Sequence, residues 1–188
     1  MTRPHPNKLV PVGAPTVIAC LTLFGAASAH GATASATLTG GTLALDTAPN
    51  VTFTGVTLDG TNKTTTGTQA LTVTDPRGTG VGWKLTATST LFTTGSVTLP
   101  STATTITAEP SATCLTTCTN PTTSSLTWPY TLPAASTAPT ATTFYNAASS
   151  TGLGKFTITP TWTLTVPASA TAGTYTSTWT ISIASGPS

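Results

Sequence analysis

Apolar residues alternate with threonine or serine in short runs along most of the chain. This pattern recurs at 43–45, 51–53, 71–73, 81–87, 156–166 and 175–183. Strict alternation places every second side chain on one face of a strand, as in antiparallel sheets with one buried and one solvated face. Glycine, proline and asparagine separate the runs, as expected for turns. The pattern therefore predicts roughly eight or more short strands in an all-β, immunoglobulin-like antiparallel β-sandwich, with a β-barrel as the alternative.

Two features interrupt this regularity. Pro160 falls inside the run 156–166, and because proline cannot donate to a strand ladder, we expect an edge strand or a bulge there. The segment from about 100 to 151 is dense in proline, serine, threonine and alanine, and it contains the aromatic residues Trp128 and Tyr130. We interpret this segment as a long Thr/Pro-rich insertion, partly irregular, within a single domain at 30–188.

The first 29 residues have the organisation of a secretory signal peptide. Arg3 and Lys8 precede an apolar run from about Leu9 to Phe24, and Ala27-Ser28-Ala29 forms an A-x-A cleavage site. Ala34-Ser35-Ala36 is a second A-x-A and the alternative cleavage site. The run is short and contains prolines, which argues against a membrane span. The stretch Val17 to Cys20 is similar to a lipoprotein cysteine box, which leaves lipidation of Cys20 as an alternative. The sequence therefore predicts an exported protein.

Charge is nearly absent from the chain. Only 5% of the residues are charged, with a formal net charge of +2. After removal of the signal peptide, the four bases face four acids: Lys63, Arg77, Lys84 and Lys155 against Asp46, Asp59, Asp75 and Glu109. Nucleic-acid binding requires clustered lysine and arginine, so nucleic acid is excluded as a partner.

Two cysteines remain in the exported part, in a C-x-x-x-C spacing. An even pair in an exported chain predicts a disulfide between Cys114 and Cys118. A loop this short stabilises the fold by only about 2 kcal/mol. No histidine lies near the pair, so we predict no metal site, and no cofactor motif occurs in the sequence.

The sequence lacks the side chains that most catalytic sites require. Its two histidines are His5 and His30, one in the signal peptide and one at the predicted new terminus. A Ser-His-Asp or Cys-His site therefore cannot be assembled in the folded part. Glu109 and Asp75 leave glycoside hydrolysis as a weaker alternative, although both lie beside prolines, where turn or capping roles are expected. We predict that the protein is not an enzyme.

One stretch, D-P-R-G-T-G-V-G-W-K-L-T at 75–86, gathers an acid, two bases and three glycines around a tryptophan. Asp75 and Arg77 have the spacing to pin a tight connection between two strands, and glycines allow backbone conformations closed to other residues. Trp83 then begins a strand whose inward face continues with Leu85. Trp83 is either a core tryptophan or a contact residue, and the sequence leaves both interpretations open.

This stretch resembles the first signature of the WxL-domain family of bacterial surface proteins, an acidic residue followed by R-G-T-G and G-W-x-L. The family's second signature, Y-x-x-x-W-x-L near the C-terminus with a proline beyond, is similar to Y-T-S-T-W-T-I at 175–181, with Pro187 beyond. Ile181 stands where the family has leucine. A third W-T-L, at 162–164, lacks the flanking tyrosine. The cysteine pair and the insertion depart from the family pattern.

The resemblance implies a secreted, non-catalytic protein held non-covalently on a bacterial cell wall, through peptidoglycan or an associated polymer. The implied motif residues are Asp75, Arg77, Trp83, Leu85, Trp179 and Ile181. If they all lie in the core, Trp128 and Tyr130 become the candidate contacts. The alternative function is a structural subunit that assembles with copies of itself or with other surface proteins through exposed edge strands.

Overall fold

The computed structural model describes residue 31 and residues 33–187. The predicted signal peptide, the cysteine considered for lipidation and both histidines lie outside these residues. The chain divides into two units, Met1–Thr37 and Leu38–Ser188, and every described strand belongs to the second. The described residues of the first unit form no strand and are exposed.

The described part of the chain consists of strands and their connections, without a helix, which confirms the all-β prediction. No described segment is a helix long and apolar enough to cross a membrane. The strands are β1 (Ala44–Thr47), β2 (Lys63–Thr68), β3 (Leu71–Asp75), β4 (Trp83–Thr90), β5 (Thr93–Thr94), β6 (Val97–Thr98), β7 (Thr104–Ile106), β8 (Ser111–Cys114), β9 (Tyr130–Thr131), β10 (Ala134–Ala135), β11 (Thr142–Ala147), β12 (Gly154–Thr159), β13 (Thr161–Val166) and β14 (Trp179–Ser185).

The strands form three larger sheets and one small hairpin. The first sheet has the order β1-β3-β12-β8, and the second has the order β2-β13-β7-β9. In the third sheet β4 pairs antiparallel with β14 and β11, and parallel with the short β10. Strands β5 and β6 form the hairpin. All pairings except β10–β4 are antiparallel, and the sheets form a sandwich-like arrangement.

One main hydrophobic core receives side chains from all three larger sheets. Its alternation is clearest in β3, where Leu71 and Val73 are fully buried and the threonine after each of them is half-buried. The largest fully buried side chains of this core are Trp83, Trp162, Tyr145, Phe144 and Phe156. Burial of each such side chain stabilises the fold by about 1.5–3 kcal/mol relative to an exposed one. In β3, β12 and β13 the buried faces are those that the period-2 pattern predicts, whereas Val81, the first residue of the predicted run 81–87, lies before β4 and is exposed.

Pro160 lies where the chain passes from one sheet to another. β12 ends one residue before it in the first sheet, and β13 begins one residue after it in the second. Each of these strands has a neighbour on both sides, so the expectation of an edge strand is wrong. Proline is tolerated here because no backbone N–H is needed at the junction between the two strands. The Pro160 carbonyl accepts a hydrogen bond from the backbone N–H of Gln69 at 3.2 Å.

The segment 100–151 is more ordered than its composition suggests, since it contains β7 to β11. β11 lies directly beside β4, and its last four residues, Phe144 to Ala147, are all buried. A strand covered on both faces does not show apolar-polar alternation, and this one also contains a register shift between Thr143 and Tyr145. For this reason the sequence pattern does not reveal it.

Candidate functional site

The connection from Asp75 to Trp83 is held by a buried ion pair. The Arg77 guanidinium donates to both carboxylate oxygens of Asp75, with Nε–Oδ1 at 2.8 Å and Nη2–Oδ2 at 2.9 Å, and Nη2 also donates to the Gly82 carbonyl at 2.7 Å. The Asp75 side chain is fully buried. Hydrogen bonding to Asp75 raises the pKa of Arg77 above its ordinary value despite the opposing effect of burial. A bidentate pair of this kind fixes the connection that precedes β4.

Trp83 begins β4 and lies wholly inside the core. Its indole Nε1 donates to the Gly152 carbonyl at 2.9 Å, and its ring lies 5.9 Å from that of Tyr145. Leu85, two residues further on, is also fully buried. Of the two interpretations of Trp83 that the sequence leaves open, the structure shows the core tryptophan.

The two sequence signatures are joined in one sheet. β14 carries the second signature and pairs with β4 along its whole length, with Ile181 opposite Ala87 and Ser185 opposite Trp83. At the Ser185 end, Arg77 of the first signature also donates to the Ser185 hydroxyl. At the other end of β14, Trp179 and Ile181 are half-buried. The signatures therefore form a continuous structural unit in which β4 contributes fully buried side chains and β14, at its Trp179 end, contributes half-buried ones that remain partly accessible.

Trp179 belongs to an aromatic cluster at the accessible end. Its ring centroid lies 4.8 Å from Trp162, 6.3 Å from Phe92 and 6.4 Å from Phe53. Trp162 is fully buried and packs nearly perpendicular to Trp179, whereas the two phenylalanines are half-buried. The cluster connects the main core to the molecular surface.

The partly exposed side of this cluster lines a cleft with a volume of about 1240 Å³. Two segments, 48–58 and 170–179, form most of its lining. None of the lining residues is charged; apart from the aromatic side chains they are aliphatic residues, glycine, proline, threonine, serine, asparagine and glutamine. A cleft with aromatic side chains and neutral hydrogen-bonding groups suits an uncharged, hydroxyl- or amide-bearing ligand.

Gln69 connects the cleft to the core. Its side-chain Oε1 accepts from the Trp162 indole at 3.1 Å, and its Nε2 donates to the Pro49 carbonyl at 2.7 Å. The residue is 4% exposed, so these hydrogen bonds replace water for a buried amide. Through them the start of the segment 48–58 is held against the aromatic cluster.

A comparison with models of known protein families identifies the family of this chain. A family model described as the WxL domain, surface cell wall-binding, matches residues 27–187. The chain belongs to the WxL domain family. It is thus a secreted, cell-surface protein whose partner is the cell wall. No curated protein and no solved structure matches it.

The two aromatic residues considered as alternative contacts in this WxL domain both pack against the main core. Tyr130 lies in β9, where its ring is 6.0 Å from Phe144 and its hydroxyl is 3.0 Å from Thr142 Oγ1. Trp128 is half-buried, and its buried indole N–H has no hydrogen-bond partner among the residues that the structure describes. Neither residue lines the cleft.

The disulfide is formed between Cys114 and Cys118, as the sequence predicts. It closes a loop after β8, which pairs with β12. Among the described residues, no group of three or more His, Cys, Asp or Glu side chains has a metal-binding arrangement. The carboxylates are separated: Asp75 bonds Arg77, Asp59 bonds Lys63, Asp46 bonds Lys155, and Glu109 accepts from Thr123.

Sequence reasoning missed most of the cleft. It took Val51-Thr52-Phe53 as a strand, but this run makes no ladder pairing within the described part of the chain. Phe92 belongs to no periodic run, and Tyr175 is predicted as part of the alternating run 175–183 and of the second signature, without a role in a cleft. The one available signal was the tyrosine four residues before Trp179, since both residues line the cleft.

Proposed function

We propose that this WxL domain attaches non-covalently and without catalysis to peptidoglycan, and that the cleft beside Trp179 is the contact site. The observation that supports this proposal is the position of the second signature, whose tryptophan and following isoleucine both line the cleft. Half-buried aromatic faces stack on sugar rings, and the surrounding hydroxyl and amide groups bond saccharide and peptide.

The electrostatics of the cleft support an uncharged contact. Because no charged side chain lines it, binding of a polyanionic wall polymer would have no cationic partner there. The four carboxylates lie outside the cleft lining, and each bonds a different group, which supports attachment rather than hydrolysis. Asp75, Trp83 and Leu85 build the domain in this proposal, while Trp179 and Ile181 take part in contact.

The test is sedimentation of the protein lacking its predicted signal peptide with purified peptidoglycan sacculi, with and without attached anionic polymers. Tyr175→Ala removes an aromatic side chain from the cleft lining, and Trp128→Ala removes one elsewhere as the matched control. Salt between about 0.05 and 0.5 M screens interactions between exposed charges. Because no charged side chain lines the cleft, we expect wild-type binding to change little over this range. We expect Tyr175→Ala to weaken binding about tenfold and Trp128→Ala to leave it unchanged.

Two results would contradict the proposal. Absence of binding to bare sacculi would exclude peptidoglycan as the ligand. Loss of binding in Trp128→Ala but not in Tyr175→Ala would move the contact site to the segment 100–151. A second measurement is fluorescence quenching by soluble wall fragments in Trp179→Phe, which should lose most of the wild-type response because Trp83 and Trp162 are fully buried.

A further inference from the structure

The fold uses few of the backbone hydrogen-bonding groups that residues 50–58 bring to the cleft. All nine residues line it, and none makes a backbone–backbone hydrogen bond within the described part of the chain. The Thr54 carbonyl is engaged, since it accepts from the Thr65 hydroxyl at 2.7 Å. Neutral N–H and C=O groups bond equally well to the acetamido group of an amino sugar and to a peptide group. Hydrogen bonding alone therefore does not distinguish the glycan strand of peptidoglycan from its stem peptide.

Charge does distinguish these two components. A stem peptide carries ionised carboxylates, whereas the N-acetylated sugars of a glycan strand that bears stem peptides are uncharged. Among the described residues, no charged side chain lines the cleft. Lys63 pairs in the ladder with the lining residue Val166, but its ammonium bonds Asp59 at 2.6 Å. A carboxylate bound in the cleft would therefore lose its water without gaining a cation, which is unfavourable.

Tyr175 presents its ring to the cleft rather than its hydroxyl. The hydroxyl donates to the Thr171 carbonyl at 2.9 Å, within the same lining segment. The half-buried ring packs against the smaller hydrophobic cluster, which contains Leu99 and Leu164, and part of the side chain remains exposed. A pyranose ring has faces of C–H groups, which pack on an aromatic ring as other apolar groups do. Tyr175 is thus suited to contact a sugar ring.

Asn50 supplies an uncommitted side-chain amide. The cleft lining contains two carboxamides, Asn50 and Gln69. The Gln69 amide bonds both Trp162 and Pro49, whereas Asn50 is exposed and its amide bonds no other group of the chain as described. A carboxamide both donates and accepts, which matches the N–H and C=O of an acetamido group. Because Gln69 holds the neighbouring Pro49, Asn50 is positioned at the cleft.

We propose that the cleft binds the uncharged glycan strand of peptidoglycan, with the Tyr175 ring packed on a sugar and the Asn50 amide bonded to an N-acetyl group. The stem peptide stays outside the cleft. This inference rests on the proposed function, and it names the component of the wall polymer that the cleft contacts. Attachment then does not depend on the composition of the stem peptide.

Short soluble probes test the inference on the protein lacking its predicted signal peptide. The first is an oligomer of N-acetylglucosamine. An oligomer of glucosamine carries an ammonium group in place of each acetamido group, and an oligomer of glucose is neutral but has no acetamido group. The fourth probe is a synthetic stem peptide with an acetylated amino terminus. Each is titrated directly by NMR and is also added as a competitor to the sacculus sedimentation.

We expect the N-acetylglucosamine oligomer to bind and to displace the protein from sacculi. The glucose oligomer should bind about fivefold more weakly, the effect of one lost hydrogen bond. The glucosamine oligomer and the stem peptide should neither bind nor compete, because both bring charge into a cleft that offers no opposite charge.

Matched variants test the two named contacts. Tyr175→Phe keeps the ring and should bind the N-acetylglucosamine oligomer as the wild type does, whereas Tyr175→Ala should bind it about tenfold more weakly. Asn50→Ala should weaken binding of this oligomer about fivefold and leave the glucose oligomer unaffected. Asn120→Ala removes an exposed carboxamide outside the cleft lining and is the control. Because the Asn50 side chain is exposed and unbonded, its variant remains informative if Tyr175→Ala fails to fold.

The possible failures are distinguishable. If the protein sediments with bare sacculi but the N-acetylglucosamine oligomer does not compete, this inference is wrong and the proposed function stands; competition by the stem peptide would then identify the peptide as the ligand. Equal weakening in Tyr175→Phe and Tyr175→Ala, or an equal effect of Asn50→Ala on the two neutral oligomers, would overturn the assigned contacts. Absence of sedimentation with bare sacculi would overturn the proposed function and this inference with it.

Discussion

The indole of Trp162 meets the indole of Trp179 edge to face, with ring centroids 4.8 Å apart. Trp162 is fully buried and bonded to Gln69, whereas Trp179 is half-buried and lines the cleft. A change in the cleft can therefore reach the core through this aromatic contact, as well as through Gln69. This arrangement separates residues that build the domain from residues that its ligand can touch.

Replacing Trp162 should destabilise the protein more than replacing Trp179. Trp162→Phe removes buried ring volume and leaves the carbonyl oxygen of Gln69 without its donor, so we expect a loss of about 2–4 kcal/mol in the free energy of unfolding. Trp179→Phe should cost about 1 kcal/mol because the ring is partly solvated. Urea denaturation measures both, and the double variant should show a coupling of about 0.5–1.5 kcal/mol. Equal losses of stability in the two single variants would contradict the assignment of Trp162 to the core and of Trp179 to the cleft.

The connection between β3 and β4 allows a matched pair of glycine substitutions. Gly78 and Gly82 have φ values of +69° and +80°, where side chains are strained. A Cβ at Gly78 meets nothing within 4 Å, whereas one at Gly82 overlaps the Ala147 carbonyl oxygen. We expect Gly78→Ala to cost about 1 kcal/mol from backbone strain alone, and Gly82→Ala at least about 2 kcal/mol more. Thermal unfolding of the two variants should rank them in this order, and a Gly82→Ala variant as stable as Gly78→Ala would be inconsistent with the packing.

The disulfide should make a modest contribution to stability. Replacing Cys114 and Cys118 together by serine lengthens no loop and removes no core side chain, so the expected cost is that of opening a short closed loop, about 2 kcal/mol. Urea unfolding of the double variant, compared with the wild type before and after reduction, measures this cost. The reduced wild type should match the variant, and reduction should not affect the variant itself. A loss above about 4 kcal/mol would mean that the cysteine loop holds the core together.

Stability should fall at alkaline pH because of buried tyrosines. Burial raises the pKa of Tyr145 well above its ordinary value, with the negative charge of Glu109 adding to the effect, and burial also raises the pKa of Tyr130. An unfolded tyrosine loses its proton near pH 10, whereas the folded one keeps it. The stabilisation that each neutral buried tyrosine gives to the folded state is therefore complete below about pH 10. As the pH rises towards the pKa of the folded state, the free energy of unfolding declines by at most about 1.4 kcal/mol per pH unit for each tyrosine.

Urea denaturation between pH 8 and about pH 11 measures this decline. Tyr145→Phe keeps the buried ring and removes the titrating hydroxyl, so its free energy of unfolding should fall less steeply above about pH 10 than that of the wild type. The two proteins should differ little in slope near pH 8. Identical slopes at high pH would show that Tyr145 is not protected from ionisation in the folded state.

The sequence alone determined the fold class, the buried faces of the regular strands and the disulfide pair. Apolar-threonine alternation is a local property, and it predicts burial wherever one face of a strand is covered, as at Leu71, Val73 and Leu85. The two signatures also lie at β4 and β14, whose pairing only the structure shows. The cysteine positions were sufficient to predict the disulfide, because only Cys114 and Cys118 remain once Cys20 is assigned to the predicted signal peptide.

Only the tertiary structure decided where the accessible surface lies. Trp83 and Trp179 share one pattern in the sequence, yet one is wholly buried and the other half-buried, because β4 lies between β14 and β11, whereas β14 pairs only with β4 and has no fully buried residue. Phe53 and Phe92 join Trp179 through contacts between segments distant in the chain. No local pattern encodes the cleft, because its lining comes from segments that are distant in the chain and that only the fold brings together.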